Sequence, residues 1–312
     1  MDAPDLLASD ILAGFAKTPR EIPCVYFYDA AGSEIYGEIT RLPEYYPPRA
    51  ETAILRAHAA EIATICGPGE WVELGAGSAT RTRHLLSAVV ECGWDLQFRA
   101  TDASPAMLGT CVDALRQEYP GARIEGLVGD YFATLAALPP RADRSLVFLG
   151  GTIGNMTDAQ AAELASAAAR AVLPGGHFLV GFDRRPHAGK TVATIEQAYN
   201  DAAGVTARFN LNLLTRLNRE LGADFDLARW RHEAPYNTES SRIEMNLVSQ
   251  TRQQITIPAV GRTYEFAEGE QIRTEISRRF EAEPLAAMLE PFTLEKAWTD
   301  GAGLFGMALL GR

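Results

Sequence analysis

The sequence predicts an α/β fold: a doubly wound, mostly parallel sheet carrying an inserted α+β subdomain. Three observations predict it. Short apolar runs alternate with helical patterns through the first 185 residues, as βαβ units require. Several of these runs end in an acid or a glycine, where a ligand-binding edge would lie. After Arg184 the pattern changes to long helical stretches followed by alternating strands.

The elements follow in order. "RAETAILRAHAAEIATI" places Ile54, Leu55, Ala59, Ile62 and Ile65 at helical spacing. "GPGE" breaks that helix and "WVEL" is the first core strand. "ATRTRHLLSAVVEC" is read as a helix beginning at Ala79, and "LQFRATD" as a strand closing on Asp102. "SPAMLGTCVDALRQEY" is a helix with Ser104 as N-cap and Pro105 as its first residue. "RIEGLVGD" and "RSLVFLGG" are the next strands, the second apolar on both faces and therefore central. "TDAQAAELASAAARAVL" is an amphipathic helix and "HFLVGFD" the fifth strand. Beyond Arg184, "TVATIEQAYNDAAGVTARFNLNLLTRLNREL" is mostly helical, and "WRHEAPYNTESSRIEMNLVSQTRQQITI" alternates as antiparallel strands do. "RTYEFAEGEQIRTEISRRF" is read as a strand, a turn and the start of a helix. "FTLEKAWTDGAGLFGMALLGR" makes two strands joined at Asp-Gly, returning to the main sheet.

Composition narrows the function. The 312 residues carry 29 basic and 40 acidic side chains, a net charge of -11. No basic stripe with interleaved aromatics is present, so nucleic acid is not an expected partner. The cysteines (Cys24, Cys66, Cys92, Cys111) form no CxxC pair, and the five histidines form no ligand pattern, so no metal is expected. The acidic start "MDAPDLLASDILAGF" resembles no targeting signal, and no apolar run reaches the roughly 20 residues of a membrane span. A cytoplasmic monomer acting on a small molecule, away from membranes, is the expectation.

The chemistry is concentrated after the first strand, in "WVELGAGSAT". A dinucleotide fingerprint would need a third glycine where Thr80 stands, and a phosphate-binding loop would need GK[ST]. What remains is Glu73, then Gly75 and Gly77, then Asp102 at the next strand end. That combination suits an adenosine-type ligand without a pyrophosphate. Asp102 would accept from two ribose hydroxyls, while Gly75 and Gly77 let the backbone approach the amino-acid part. Asp130 and Tyr131 of "GDY" would flank the adenine, and Gly150 falls on the same edge. This is the arrangement of S-adenosyl-L-methionine in seven-strand methyltransferases. The bland alternative is a tight turn with solvated acids at the strand ends.

Longer stretches sharpen this. "YFYDAAGSEIYGEITRLPEYYPPRAE", "ELGAGSATRTR", "FLGGTIGNM", "AYNDAAGVTARFNLNLLTRLNREL", "RIEMNLVS" and "RTEISRRF" resemble the histidine-specific α-N-methyltransferases of ergothioneine biosynthesis, which make the trimethylated betaine hercynine. The resemblance covers nearly the whole chain. It implies that Gly75, Arg81, Asp102, Asp130 and Tyr131 hold S-adenosylmethionine. It also implies that Tyr45, Asn155 and Tyr199 hold the amino acid by its carboxylate and amine, with Tyr28 near the amine. Glu275 and Ser277 would grip the imidazole, and Met245 would pack on it. Asn200 stands where an acid commonly follows the tyrosine, and "RRPHAGKTVATIEQ" has no counterpart by which to register Tyr199.

On this reading residues 51–185 are the cofactor-binding core, with 1–50 packing on an inserted substrate subdomain over 186–284 and with 285–312 returning to the core sheet. Methyl transfer from a sulfonium needs no nucleophilic side chain, only a neutral amine held in line, and positioning of that kind can supply roughly 7–11 kcal/mol. The substrate would be L-histidine and its mono- and dimethylated forms. The competing readings are the same reaction on another amino acid such as tryptophan, and a catalytically silent cofactor-binding protein.

Overall fold

The structure, a computed structural model, describes residues 3–312. Chain contacts divide it into two units: one of residues 47–185 and 279–312, the other of residues 3–46 and 186–278. In chain order the elements are α1 (Ala3–Phe15), β1 (Arg20–Glu21), α2 (Ala30–Ile39), α3 (Pro47–Cys66), β2 (Glu70–Leu74), α4 (Arg83–Glu91), β3 (Gln97–Asp102), α5 (Pro105–Glu118), β4 (Arg123–Val128), α6 (Tyr131–Ala137), β5 (Arg144–Phe148), α7 (Asp158–Ala171) and β6 (His177–Asp183). They continue with α8 (Val192–Gln197), α9 (Val205–Leu221), β7 (Trp230–Glu233), β8 (Tyr236–Asn237), β9 (Arg242–Ser249), β10 (Gln253–Ile257), β11 (Arg262–Phe266), β12 (Gln271–Arg278), α10 (Ala282–Met288), β13 (Thr293–Thr299) and β14 (Phe305–Gly311).

The first unit is a seven-stranded sheet in the order β13-β14-β6-β5-β2-β3-β4, in which β14 runs antiparallel to both neighbours. This is the doubly wound sheet that the sequence predicts, closed by an antiparallel pair. Every residue of β2, β5 and β14 is buried; β14 is apolar throughout, whereas β2 and β5 also bury Glu70, Glu73, Arg144 and Ser145. One face packs Ile54, Leu55, Ile62 and Leu85 from α3 and α4, and the other packs Leu164, Ala165 and Leu285 from α7 and α10. The chain leaves β2 for β3 and β4 on one side and reaches β5 and β6 on the other, so the switch point lies between β2 and β5. Ser104 caps α5 ahead of Pro105, and Thr157 with Gln160 forms a capping box on α7. Asp300 closes the last hairpin by accepting from the backbone N–H of Ala302 and Phe305.

Two expected elements differ. The helix drawn from Ala79 begins only at Arg83, because Ala79 has φ 51° and cannot continue a right-handed turn. The helix start drawn over "TEIS" is strand β12, paired antiparallel with β9 and parallel with β1. That sheet, in the order β1-β12-β9-β7 with β8 on β9, is the centre of the second unit, and a β10-β11 hairpin accompanies it. Helix α9 packs with α2 in the same unit. The subdomain boundary drawn at 284 falls inside α10, whose Leu285 belongs to the core of the other unit.

Candidate active site

At the carboxyl edge of the core sheet, Gly75 (φ 74°) and Gly77 (φ 54°) turn the chain away from β2 in a left-handed conformation. A Cβ at Gly75 would stand 3.3 Å from the ring of Tyr131. The Asp102 carboxylate accepts from Gly77 N–H at 3.0 Å and from Ser104 N–H at 2.8 Å, one bond on each oxygen. Each oxygen therefore retains a lone pair for a further donor. Asp130 caps α6, accepting from Ala133 N–H at 2.7 Å, and Tyr131 begins that helix with its ring edge-on to Phe148. Two exposed apolar residues share this edge and have no counterpart in the sequence reading: Val128, ending β4, and Met107, in the first turn of α5. A flat aromatic ligand beside Asp130 would cover such side chains.

Between β2 and β5 lies a second group. Glu51, on α3, is fully buried, and its two carboxylate oxygens accept from Gly150 N–H at 2.8 and 3.0 Å. It also pairs with the Arg81 guanidinium at 3.0 Å. Glu73, the penultimate residue of β2, is buried and accepts from Thr82 Oγ1 at 2.6 Å. Its other oxygen has no hydrogen-bond partner among the described residues. Burial pushes the Glu73 carboxyl up to about 8, against the bond from Thr82 and the charge of Arg81. The unfolded chain then loses this proton first, so between its ordinary value of 4.5 and about 8 stability falls as pH rises. Glu73→Gln removes that loss. Relative to the parent protein, its unfolding free energy should rise by on the order of a few kcal/mol from pH 5 to pH 9. Denaturant unfolding at both pH values measures it, and a difference that does not change with pH would show Glu73 already ionised.

The second unit gathers the other expected residues. The Tyr199 hydroxyl and Ser277 Oγ are 2.8 Å apart, both buried. The rings of Tyr45 and Tyr199 meet edge to face at 6.0 Å. Tyr28, half-exposed, packs edge-on against Tyr36 and Phe209. Desolvation holds the Tyr45 hydroxyl well above its ordinary value, and the nearby Tyr36, Tyr199, Tyr28 and Glu275 add to it. Glu275 and Ser277 lie two apart on β12, where side chains i and i+2 share a face, so no irregular turn is needed to bring them together. A register shift between Arg273 and Glu275 marks a bulge, a device that re-aims side chains beside binding sites. Met245 is the register partner of Glu275 on the adjacent strand β9, not on a facing one. Asn155 belongs to the other unit, at the end of a 3-10 turn (Thr152–Asn155) that follows the left-handed Gly150 and Gly151.

A buried polar network supports Tyr199. The Asn210 amide donates to His232 Nδ1 at 2.9 Å, so His232 Nε2 carries the proton and donates to the Tyr199 carbonyl at 2.8 Å. Burial holds the His232 imidazole below its ordinary value. Asn210 also donates to the Asn246 carbonyl and accepts from Thr274, the neighbour of Glu275. Asn200 donates to the Ala234 carbonyl and accepts from its N–H, a two-way pairing that an aspartate could not make. Nothing in the spacing of Asn210, His232 and Thr274 marked them, because each reads alone as a surface or core polar residue.

Residues 7–312 match the family described as "Histidine-specific methyltransferase, SAM-dependent". The chain is 42% identical over 312 residues to the histidine N-alpha-methyltransferase of Mycolicibacterium smegmatis, covering 99% of this chain and 96% of that protein. It is 28% identical to the ergothioneine biosynthesis protein 1 of Neurospora crassa, covering 94% of this chain and 33% of that one. It is also 28% identical to an L-tryptophan methyltransferase of Psilocybe serbica, covering 94% and 89%.

Proposed function

We propose that this chain, which belongs to the family of histidine-specific, S-adenosylmethionine-dependent methyltransferases, transfers methyl groups to the α-amine of L-histidine, giving hercynine on the way to ergothioneine. The observation that carries the reading is the continuity of the β12 face: Glu275 beside Met245, and Ser277 hydrogen-bonded to Tyr199. One face thus offers an acid and a hydroxyl to an imidazole, and a tyrosine to the amino-acid end.

The core residues fit the cofactor. Asp102 has a lone pair on each oxygen for the two ribose hydroxyls, and Gly75 leaves the backbone open. Asp130 and Tyr131, with Val128 and Met107, take the adenine, while Arg81 and Gly150 stand at the amino-acid tail. S-adenosylmethionine supplies an electrophilic methyl carbon on a sulfonium. Tyr45, Asn155 and Tyr199 orient the substrate amine and carboxylate, with Tyr28 beside the amine. Tyrosine and amide oxygens accept from a neutral amine without the full negative charge that would hold it as ammonium. Glu275 and Ser277 bind the imidazole nitrogens.

The test is incubation with labelled cofactor and each of the twenty amino acids, read by mass spectrometry. Histidine should gain up to three methyl groups and the others none. A preference for tryptophan would replace the substrate assignment. No general base is needed in this scheme, so the rate at subsaturating histidine should rise from neutral to mildly alkaline pH as the amine deprotonates. Tyr28→Phe should scale this profile down without changing its shape. Loss of the alkaline rise would instead make Tyr28 an essential proton acceptor.

A further inference from the structure

Glu51 is an unusual use of a carboxylate. Desolvating an isolated carboxylate is costly, and a buried one persists where it is paired and hydrogen-bonded. Its oxygens are occupied by Gly150 N–H and by Arg81, and burial pushes the carboxyl up against those partners. Space for it is built into the sheet: a Cβ on Gly181 of β6 would come 2.1 Å from Glu51 Oε1. Both groups it holds belong to loops at the switch point. Gly150 follows β5, and Arg81 follows the Gly75–Gly77 turn after β2. Crevices at switch points are where ligands bind on such sheets. Arg81 is a cation there; it is partly exposed and its guanidinium pairs with Glu51. The next residue, Thr82, is anchored by Glu73, so two buried acids hold two consecutive residues of one turn.

We propose that Glu51 is a positioning residue for cofactor binding: its buried carboxylate fixes the Arg81 guanidinium and the Gly150 amide so that Arg81 receives the carboxylate of the cofactor's amino-acid tail. The inference rests on the cofactor half of the proposed function and is independent of which amino acid is methylated. Glu51 touches neither the methyl group nor the substrate and acts through Arg81.

Calorimetry on the folded full chain, with S-adenosylmethionine and separately with S-adenosylhomocysteine, tests this. Glu51→Gln, which keeps an acceptor for Gly150 but removes the charge facing Arg81, should weaken both ligands about tenfold, or 1.4 kcal/mol. Both should weaken alike because they share the tail and differ at the sulfur. Saturating kcat should stay within about threefold. Arg81→Met should weaken binding at least as much, and Glu51→Gln with Arg81→Met should be no weaker than Arg81→Met alone, since one residue acts through the other. If Glu51→Gln does not fold, Glu51→Asp, which withdraws the charge by one methylene, carries the same expectations. Unchanged affinity with a lowered Tm would reduce Glu51 to a structural role and overturn the proposal. So would effects that multiply in the double variant, or a loss confined to the sulfonium ligand. Absence of cofactor binding by the parent protein would instead overturn the proposed function.

Discussion

Glu275→Ala should lower the catalytic efficiency on histidine by about 2–4 kcal/mol, the cost of removing one partner from a hydrogen-bonded charged pair. Most of the loss should fall on substrate binding, because the imidazole is remote from the reacting amine. The geometry supports a specific effect over general damage. Glu275 lies at a bulge on β12 opposite Met245, and its strand neighbour Ser277 is held by Tyr199. Deleting the acid leaves Ser277, Met245 and the network behind them intact. An indole offers one N–H donor and no charge, so activity on tryptophan should rise relative to histidine. Steady-state kinetics on the two amino acids measure this. If the preference stays within about threefold of the parent value, the imidazole is held elsewhere and the substrate assignment fails.

Asp102→Ala should weaken S-adenosylmethionine by at least about 1.5–3 kcal/mol, the range for hydrogen bonds to a charged group. The structure adds a reason for the upper end. The same carboxylate accepts from Gly77 and Ser104 N–H, so its loss also releases the turn after β2 and the entry to α5. Asp102→Asn separates the two contributions. Its amide keeps one acceptor oxygen, so it should lose less affinity than the alanine variant. Calorimetry giving parent-like affinity for Asp102→Ala would remove Asp102 from the cofactor site.

The core was legible because its signals are local. β2, β5 and β6 are each centred on a short apolar run, Ser104-Pro105 is a helix start in two residues, and Asp300-Gly301 closes a hairpin. Errors arose where tertiary structure overrides a local pattern. The polar residues of "RTEISRR" resemble a helix entry, yet Ile272 and Thr274 turn inward on one side and the bulge breaks the alternation a strand would show. The helix after Gly77 starts later than its sequence suggests because nothing in Ala79 announces a positive φ. Glu51 is illegible in the sequence for a different reason. A glutamate in an amphipathic helix reads as a solvated residue, although it lies three and four positions before Ile54 and Leu55 and so shares their inward face. The unmatched linker left the Tyr199 register open in the sequence; in the fold its hydroxyl lies 2.8 Å from Ser277 Oγ and its ring meets that of Tyr45.

The placement of β14 between β6 and β13 bears on how the chain reaches this state. Phe305 pairs with Asp183 across about 120 residues of intervening chain, most of it the other unit. During synthesis β6 therefore waits with one hydrogen-bonding edge open until β14 has been made. An open edge is a template for wrong partners, and pairing across so long a loop is intrinsically slow. Early compaction of residues 186–278 would shorten the effective span that β14 must cross. The vulnerable interval in the life of this protein thus runs from the completion of β6 to the arrival of β14, while the seven-stranded sheet lacks two of its strands.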